Sequence, residues 1–170
     1  PTATGSDAPA LKLAELLRKA NRADDERDVL THLASVDAAA PFAYLRLIEL
    51  ESARGDWEAV ALQARRLRAV DPLTTHPHRW LAEAAERLGQ TDTALVALRS
   101  LLAVSPDDPA GTNYRMARLL QNQGDTTAAK RHVLTALEEA PRYRAAQELL
   151  LELVESSAAS PESSGQRPAF

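Results

Sequence analysis

Three segments of identical length, Gly55 to Pro72, Gly89 to Pro106 and Gly124 to Pro141, recur in this chain at intervals of 34 and then 35 residues. A period of that size marks a repeat array. Each unit of such an array is a supersecondary element that cannot bury its apolar face alone and must stack on its neighbours. The residues inside each copy specify helix. Hydrophobic residues make up 45% of the 170, and most of them are Ala and Leu, which favour helices; the β-branched residues that favour strands are few.

The punctuation between helices has direct physical meaning. Pro9, Pro41, Pro77, Pro109 and Pro141 suit the first turn of a helix, where a missing N–H is no loss and φ is already helical. Asp108 stands before Pro109 as an N-cap, and Asp56 and Asp125 stand in the same role after Gly55 and Gly124. Gly55, Gly89 and Gly124 occur where one helix ends, a place that calls for a left-handed residue. Asn21 holds the equivalent position in the first repeat and is the next best residue for it. The extra residue that lengthens one interval to 35 falls in the Ser105–Pro109 loop, where it costs least. These signals predict nine helices, at about 9–20, 23–36, 41–54, 56–69, 77–88, 90–103, 109–123, 125–139 and 142–155. Leucine stripes at helical spacing, Leu13/Leu16/Leu17, Leu47/Ile48/Leu50 and Leu95/Leu98/Leu101/Leu102, supply the packing faces. The small, polar Pro1–Asp7 and the Ser/Pro/Gly-rich 156–170 read as disordered.

Composition narrows the function. A net charge of −4, without a polybasic run or aromatic–basic interleaving, speaks against nucleic acid. The absence of Cys excludes disulfides and thiolate metal sites. No apolar run approaches the ~18 residues of a membrane span, so no membrane partner is expected. The start at Pro1 rather than Met suggests a processed product or a domain of a larger protein.

The repeats resemble the tetratricopeptide repeat family, whose unit is a pair of antiparallel helices. The resemblance is carried by GDWEAVALQARRLRAVDP (55–72), GQTDTALVALRSLLAVSP (89–106) and GDTTAAKRHVLTALEEAP (124–141). Ala94 and Ala129 match the small residue of close helix approach, Leu98 and Val133 the bulky residue a turn later, and Pro72, Pro106 and Pro141 the closing Pro. In first helices, Tyr44 and Leu47 fit the aromatic and Leu positions, and Ala82 and Ala117 the small one. Departures are Glu26 and Val60 at the close-approach position, Ile48 at the small one, and Glu51 in a column otherwise Leu17, Ala85 and Leu120. The resemblance covers about residues 8–155. It implies an all-α, right-handed superhelical solenoid with repeats at about 8–38, 41–72, 75–106 and 109–141 and a capping helix at 142–155.

In this family the first helices line a concave groove. Aligning the copies by their Gly puts three columns there: Lys12, Arg46, Trp80, Arg115; then Glu15, Glu49, Glu83, Arg118; then Leu11, Leu45, Arg79, Tyr114. Lys12–Glu15 and Arg46–Glu49 are also i,i+3 pairs of the kind that decorate a solvated helix face. Repeats three and four concentrate Arg79, Trp80, Tyr114, Arg115 and Arg118, residue types enriched at binding hot spots, although Trp80 and Tyr114 are equally suited to packing between repeats. The groove residues expected to contact a partner are Leu45, Arg46, Arg79, Trp80, Tyr114, Arg115 and Arg118. The chaperone-tail binders of the family grip a carboxylate with a Lys/Arg/Asn clamp. Glu15, Glu49 and Leu11 stand where that clamp needs Asn and Lys, so a different peptide is expected, with Arg115 and Arg118 able to grip a carboxylate.

His76 and His78 have the only metal-like spacing, without the further ligands a site needs; the simpler reading is that Thr75 or His76 caps a helix at 77–88. His32 and His132 read as helix surface. There is no nucleophile elbow, phosphate-binding loop or zinc-protease motif, so neither a catalytic site nor a cofactor is expected. Two functions remain: a non-catalytic protein-interaction module binding a peptide or partner segment in the groove, or an accessory C-terminal domain of a larger enzyme, such as a bacterial hydrolase or peptidase, used for substrate presentation or self-association.

Overall fold

The computed structural model describes residues 8–37 and 40–159. Among them are nine helices and no strand: α1 (Ala8–Lys19), α2 (Ala23–Val36), α3 (Pro41–Arg54), α4 (Trp57–Val70), α5 (Thr75–Arg87), α6 (Thr91–Ala103), α7 (Pro109–Asn122), α8 (Thr126–Glu139) and α9 (Arg144–Ala159). Residues 1–7 and 160–170, which the sequence reads as disordered, lie outside the described residues.

The helix ends obey the punctuation. Gly55, Gly89 and Gly124 take φ of +76°, +68° and +82°, and Asn21 takes +54° in the same place. This left-handed step lets the next amide turn back onto the helix. Arg22, Asp56, Gln90 and Asp125 donate to the carbonyls of Leu17, Glu51, Ala85 and Leu120 at 2.8–3.0 Å, the Schellman closure. At the other ends, Asp56, Asp108 and Asp125 accept from the amides of Ala59, Gly111 and Ala128 at 3.0, 2.7 and 2.9 Å. In the longer interval Ser105 turns left-handed at +58°, whereas its equivalents Asp71 and Ala140 keep negative φ, −136° and −138°.

Two boundaries differ from expectation. Helix α5 begins at Thr75 rather than 77, and neither Thr75 nor His76 caps it: the N-cap is Thr74, with no side-chain cap bond. His78 closes this loop instead, its buried ring Nε2 donating to the Pro72 carbonyl at 2.8 Å. Helix α9 runs four residues into the segment read as disordered, and Ser156 bonds back to the Glu152 carbonyl at 2.8 Å within it.

The chain divides at Ser105/Pro106 into two compact units. In the first, α1 packs on α2, α2 on α3, α3 on α4, α4 on α5 and α5 on α6; in the second, α7 packs on α8 and both meet α9. Equivalent positions share one environment. The small-residue column Ala14, Ile48, Ala82, Ala117 is buried, as are Glu26, Val60, Ala94, Ala129 and, a turn later, Leu30, Ala64, Leu98, Val133. Small side chains at these seams let helix axes approach, and the Leu residues fill the gaps.

Candidate functional site

In the first unit the site begins with a residue out of place. Glu26 occupies the column of Ala94 and Ala129 and is 2% exposed. A carboxylate stripped of water has to be paired and hydrogen-bonded. The partner is Arg46, which reaches from α3 to α2 with Nε 2.7 Å from Glu26 Oε1 and Nη2 3.0 Å from Oε2; Nη1 donates to Glu49 at 2.8 Å. These carboxylates, Glu26 first, hold the guanidinium charged above its usual range against the opposing effect of burial. Arg46 therefore has its planar fork engaged by two acids of its own chain.

Beside this pair, α1, α2 and α3 leave an open cleft of about 410 Å³ whose floor is apolar: Leu11, Leu30, Phe42 and Leu45. Leu45 lies half-buried in it. Glu15 stands at the margin, its carboxyl held below the usual range chiefly by the hydrogen bond from Lys19, with Nζ at 2.7 Å. The shape and lining suit an apolar side chain from another molecule, with charged groups around its edge.

On α5, the Arg79 guanidinium lies 5.7 Å from the centroid of the Trp80 ring. Arg79 is exposed and Trp80 half-buried, so the indole keeps an accessible edge. Trp57 is engaged similarly by Arg87 at 5.0 Å. The buried His78 leaves its Nδ1 without a hydrogen-bond partner in the structure.

In the second unit, α7 carries the remaining expected residues. Arg118 donates to the Tyr114 hydroxyl at 3.3 Å, and Arg115 is half-buried. The Tyr114 ring packs on Tyr143 with centroids 5.1 Å apart and planes tilted by 52°. Burial pushes the Tyr143 phenol up from its usual range, aided by Tyr114 and Asp108. Asp108, Ala110, Pro141 and Tyr143 line an open cavity of about 670 Å³. Arg79 and Trp80 thus belong to one unit, and Tyr114, Arg115 and Arg118 to the other.

Sequence reasoning missed Glu26, Tyr143 and the bond between His132 Nδ1 and Asn113 Oδ1 at 2.9 Å, which makes His132 a cross-helix contact rather than plain surface. An acid in the column of Ala94 and Ala129 was the available signal for the first. Among the described residues no three His, Cys, Asp or Glu side chains are grouped to hold a metal, and no helix is long and apolar enough to cross a membrane.

Residues 80–108 match the family profile described as tetratricopeptide repeat. No curated protein matches the sequence. Among solved structures the chain is similar to MamA, with 14% identity, 85% of this chain and 84% of that one covered, and a TM-score of 0.73. YrrB, described as a TPR protein with an unusual peptide-binding site, has 14% identity, coverage of 90% and 78%, and a TM-score of 0.73. The first TPR of Spaghetti (RPAP3), solved bound to the HSP90 peptide SRMEEVD, has 16% identity, coverage of 72% and 96%, and a TM-score of 0.62. The fold class expected from the sequence, an all-α solenoid of helix pairs, is the one these structures share.

Proposed function

We propose, for a chain that is a tetratricopeptide-repeat protein in its fold and in its match at residues 80–108, that it is a non-catalytic protein-interaction module. It holds a peptide or partner segment against the faces of its first helices. The observation that carries this reading is the apolar-floored cleft between α1, α2 and α3, which has room for a side chain from another molecule and is walled by a fixed ion pair. Peptide binding by two proteins of the same fold, YrrB and the Spaghetti domain, supports it.

In this reading Leu45 lines the anchor pocket and Arg46 shapes its wall. Trp80 offers an indole edge with Arg79 beside it. Tyr114, Arg115 and Arg118 form a second contact group, whose guanidiniums can grip a partner carboxylate bidentately. The test is affinity capture from extracts of the source cells with the chain and with a Leu45→Ala/Trp80→Ala/Tyr114→Ala variant, quantified by mass spectrometry. A stoichiometric partner retained by the first and lost by the folded variant is expected. Undiminished retention by the variant overturns the reading.

A further inference from the structure

Helices α1 and α9 each carry an apolar pair whose equivalents elsewhere in the repeats are covered. Leu13 and Leu16 on α1 are 47% and 55% exposed. Their equivalents Leu47 and Leu50 on α3, and Leu81 and Ala84 on α5, are buried, and those helices pack on the preceding second helices α2 and α4. On α9, Leu151 and Val154 are 63% and 51% exposed. They stand at the i,i+3 spacing of Ala82/Ala85 and Ala117/Leu120, pairs buried in helices that pack on the second helices following them, α6 and α8. Helix α9 therefore does not present the polar outer face expected of a cap.

The flanking charges are opposite. Along α1 stand Lys12, Arg18 and Lys19 against the single acid Glu15; along α9 stand Glu148, Glu152 and Glu155 against the single base Arg144. Two α9 helices would bring acids together, and two α1 helices bases. An α1 placed on an α9 joins apolar pair to apolar pair and base to acid.

We propose that the α9 face binds the α1 face of a second copy of this chain, through Leu151 and Val154 against Leu13 and Leu16. The contact is heterologous: two copies joined through one α9 and one α1 leave one α1 and one α9 over, so association either closes on itself or continues to further copies. One helix pair buries less than the roughly 1,200 Å² of a standard stable interface, so association is weak and depends on concentration. The charged flanks make it weaker still at high salt.

The test is sedimentation velocity of the full chain from about 10 µM to about 1 mM, the range in which so small an interface is populated. Two variants accompany it, Leu13→Asp/Leu16→Asp and Leu151→Asp/Val154→Asp, with helicity checked by circular dichroism. Gln versions of both serve if an Asp variant loses its fold. The wild type is expected to associate with rising concentration, and each variant alone to stay monomeric. An equimolar mixture of the two is expected to form a 1:1 dimer and nothing larger, since one intact α1 face and one intact α9 face remain. A wild type that stays monomeric, a variant that still associates alone, or a mixture that does not pair would each overturn the proposal.

Discussion

Replacing Arg46 by Met isolates the buried ion pair at the candidate site. Met keeps an unbranched, flexible side chain, while the Glu26 carboxylate loses both guanidinium donors. Breaking a buried pair in this way costs roughly 3–5 kcal/mol, because one charge is left desolvated. One feature of this site lowers that figure: the Arg46 side chain is 28% exposed, so water reaches the gap. The expected loss relative to wild type at pH 7 is therefore about 2–3.5 kcal/mol. The double variant Glu26→Leu/Arg46→Met puts apolar groups in place of the pair and should return to within about 1 kcal/mol of wild type. Urea unfolding followed by circular dichroism measures this, and hydrogen exchange of α2 and α3 amides localises it, since repeats can open separately. A single variant that loses less than about 1 kcal/mol at pH 7, or a double variant no more stable than the single one, would refute the reasoning.

Ala94 is fully buried at a helix seam, so Ala94→Trp should overpack it and cost at least about 1–3 kcal/mol, read as a lowered Tm. Asp125→Ala removes the bond to the Ala128 amide and should cost about 1 kcal/mol by urea unfolding; a change within 0.2 would deny the cap its role. A Cβ at Gly89 meets nothing within 4 Å, so Gly89→Ala should cost only the left-handed strain at φ +68°, about 1–2 kcal/mol, with no loss of neighbouring packing by hydrogen exchange. The Tyr143 phenol, raised in the folded state, contributes stability that is whole below the ordinary tyrosine value near 10 and is lost as pH climbs through the folded value. Tyr143→Phe should flatten that alkaline decline in Tm.

The helices were legible because their boundary residues have narrow physical meanings. A left-handed Gly ends a helix and an Asp at the N-cap begins one, so α2, α3 and the caps at Asp56, Asp108 and Asp125 stand where the sequence places them. At α9, Ser156, where the readable pattern ends, bonds back to the Glu152 carbonyl of its own helix, and no Gly or Pro stands before Pro161. Columns also transmitted burial, including that of Ala82, Ala94, Ala117 and Ala129. The Glu26–Arg46 pair was hidden because it joins residues 20 apart on different helices, and charge at local spacing pointed Arg46 toward Glu49 instead. Leu13 and Leu16 show a further limit. Periodicity identifies the face that wants a neighbour, but whether a helix stands against it is a fact of three-dimensional packing.

The central claim, that a partner is held on the first-helix faces, is tested most directly by site-specific photo-crosslinking. A photoreactive phenylalanine would be placed at Leu45, Trp80 or Tyr114 on first helices, and at Leu62, Val96 or Leu134, exposed positions of second helices. Irradiation in the source cells, followed by mass spectrometry, is predicted to trap one common partner from the first set and not from the second. A partner trapped from Leu62, Val96 and Leu134 alone would contradict the account and move the interface to the opposite face.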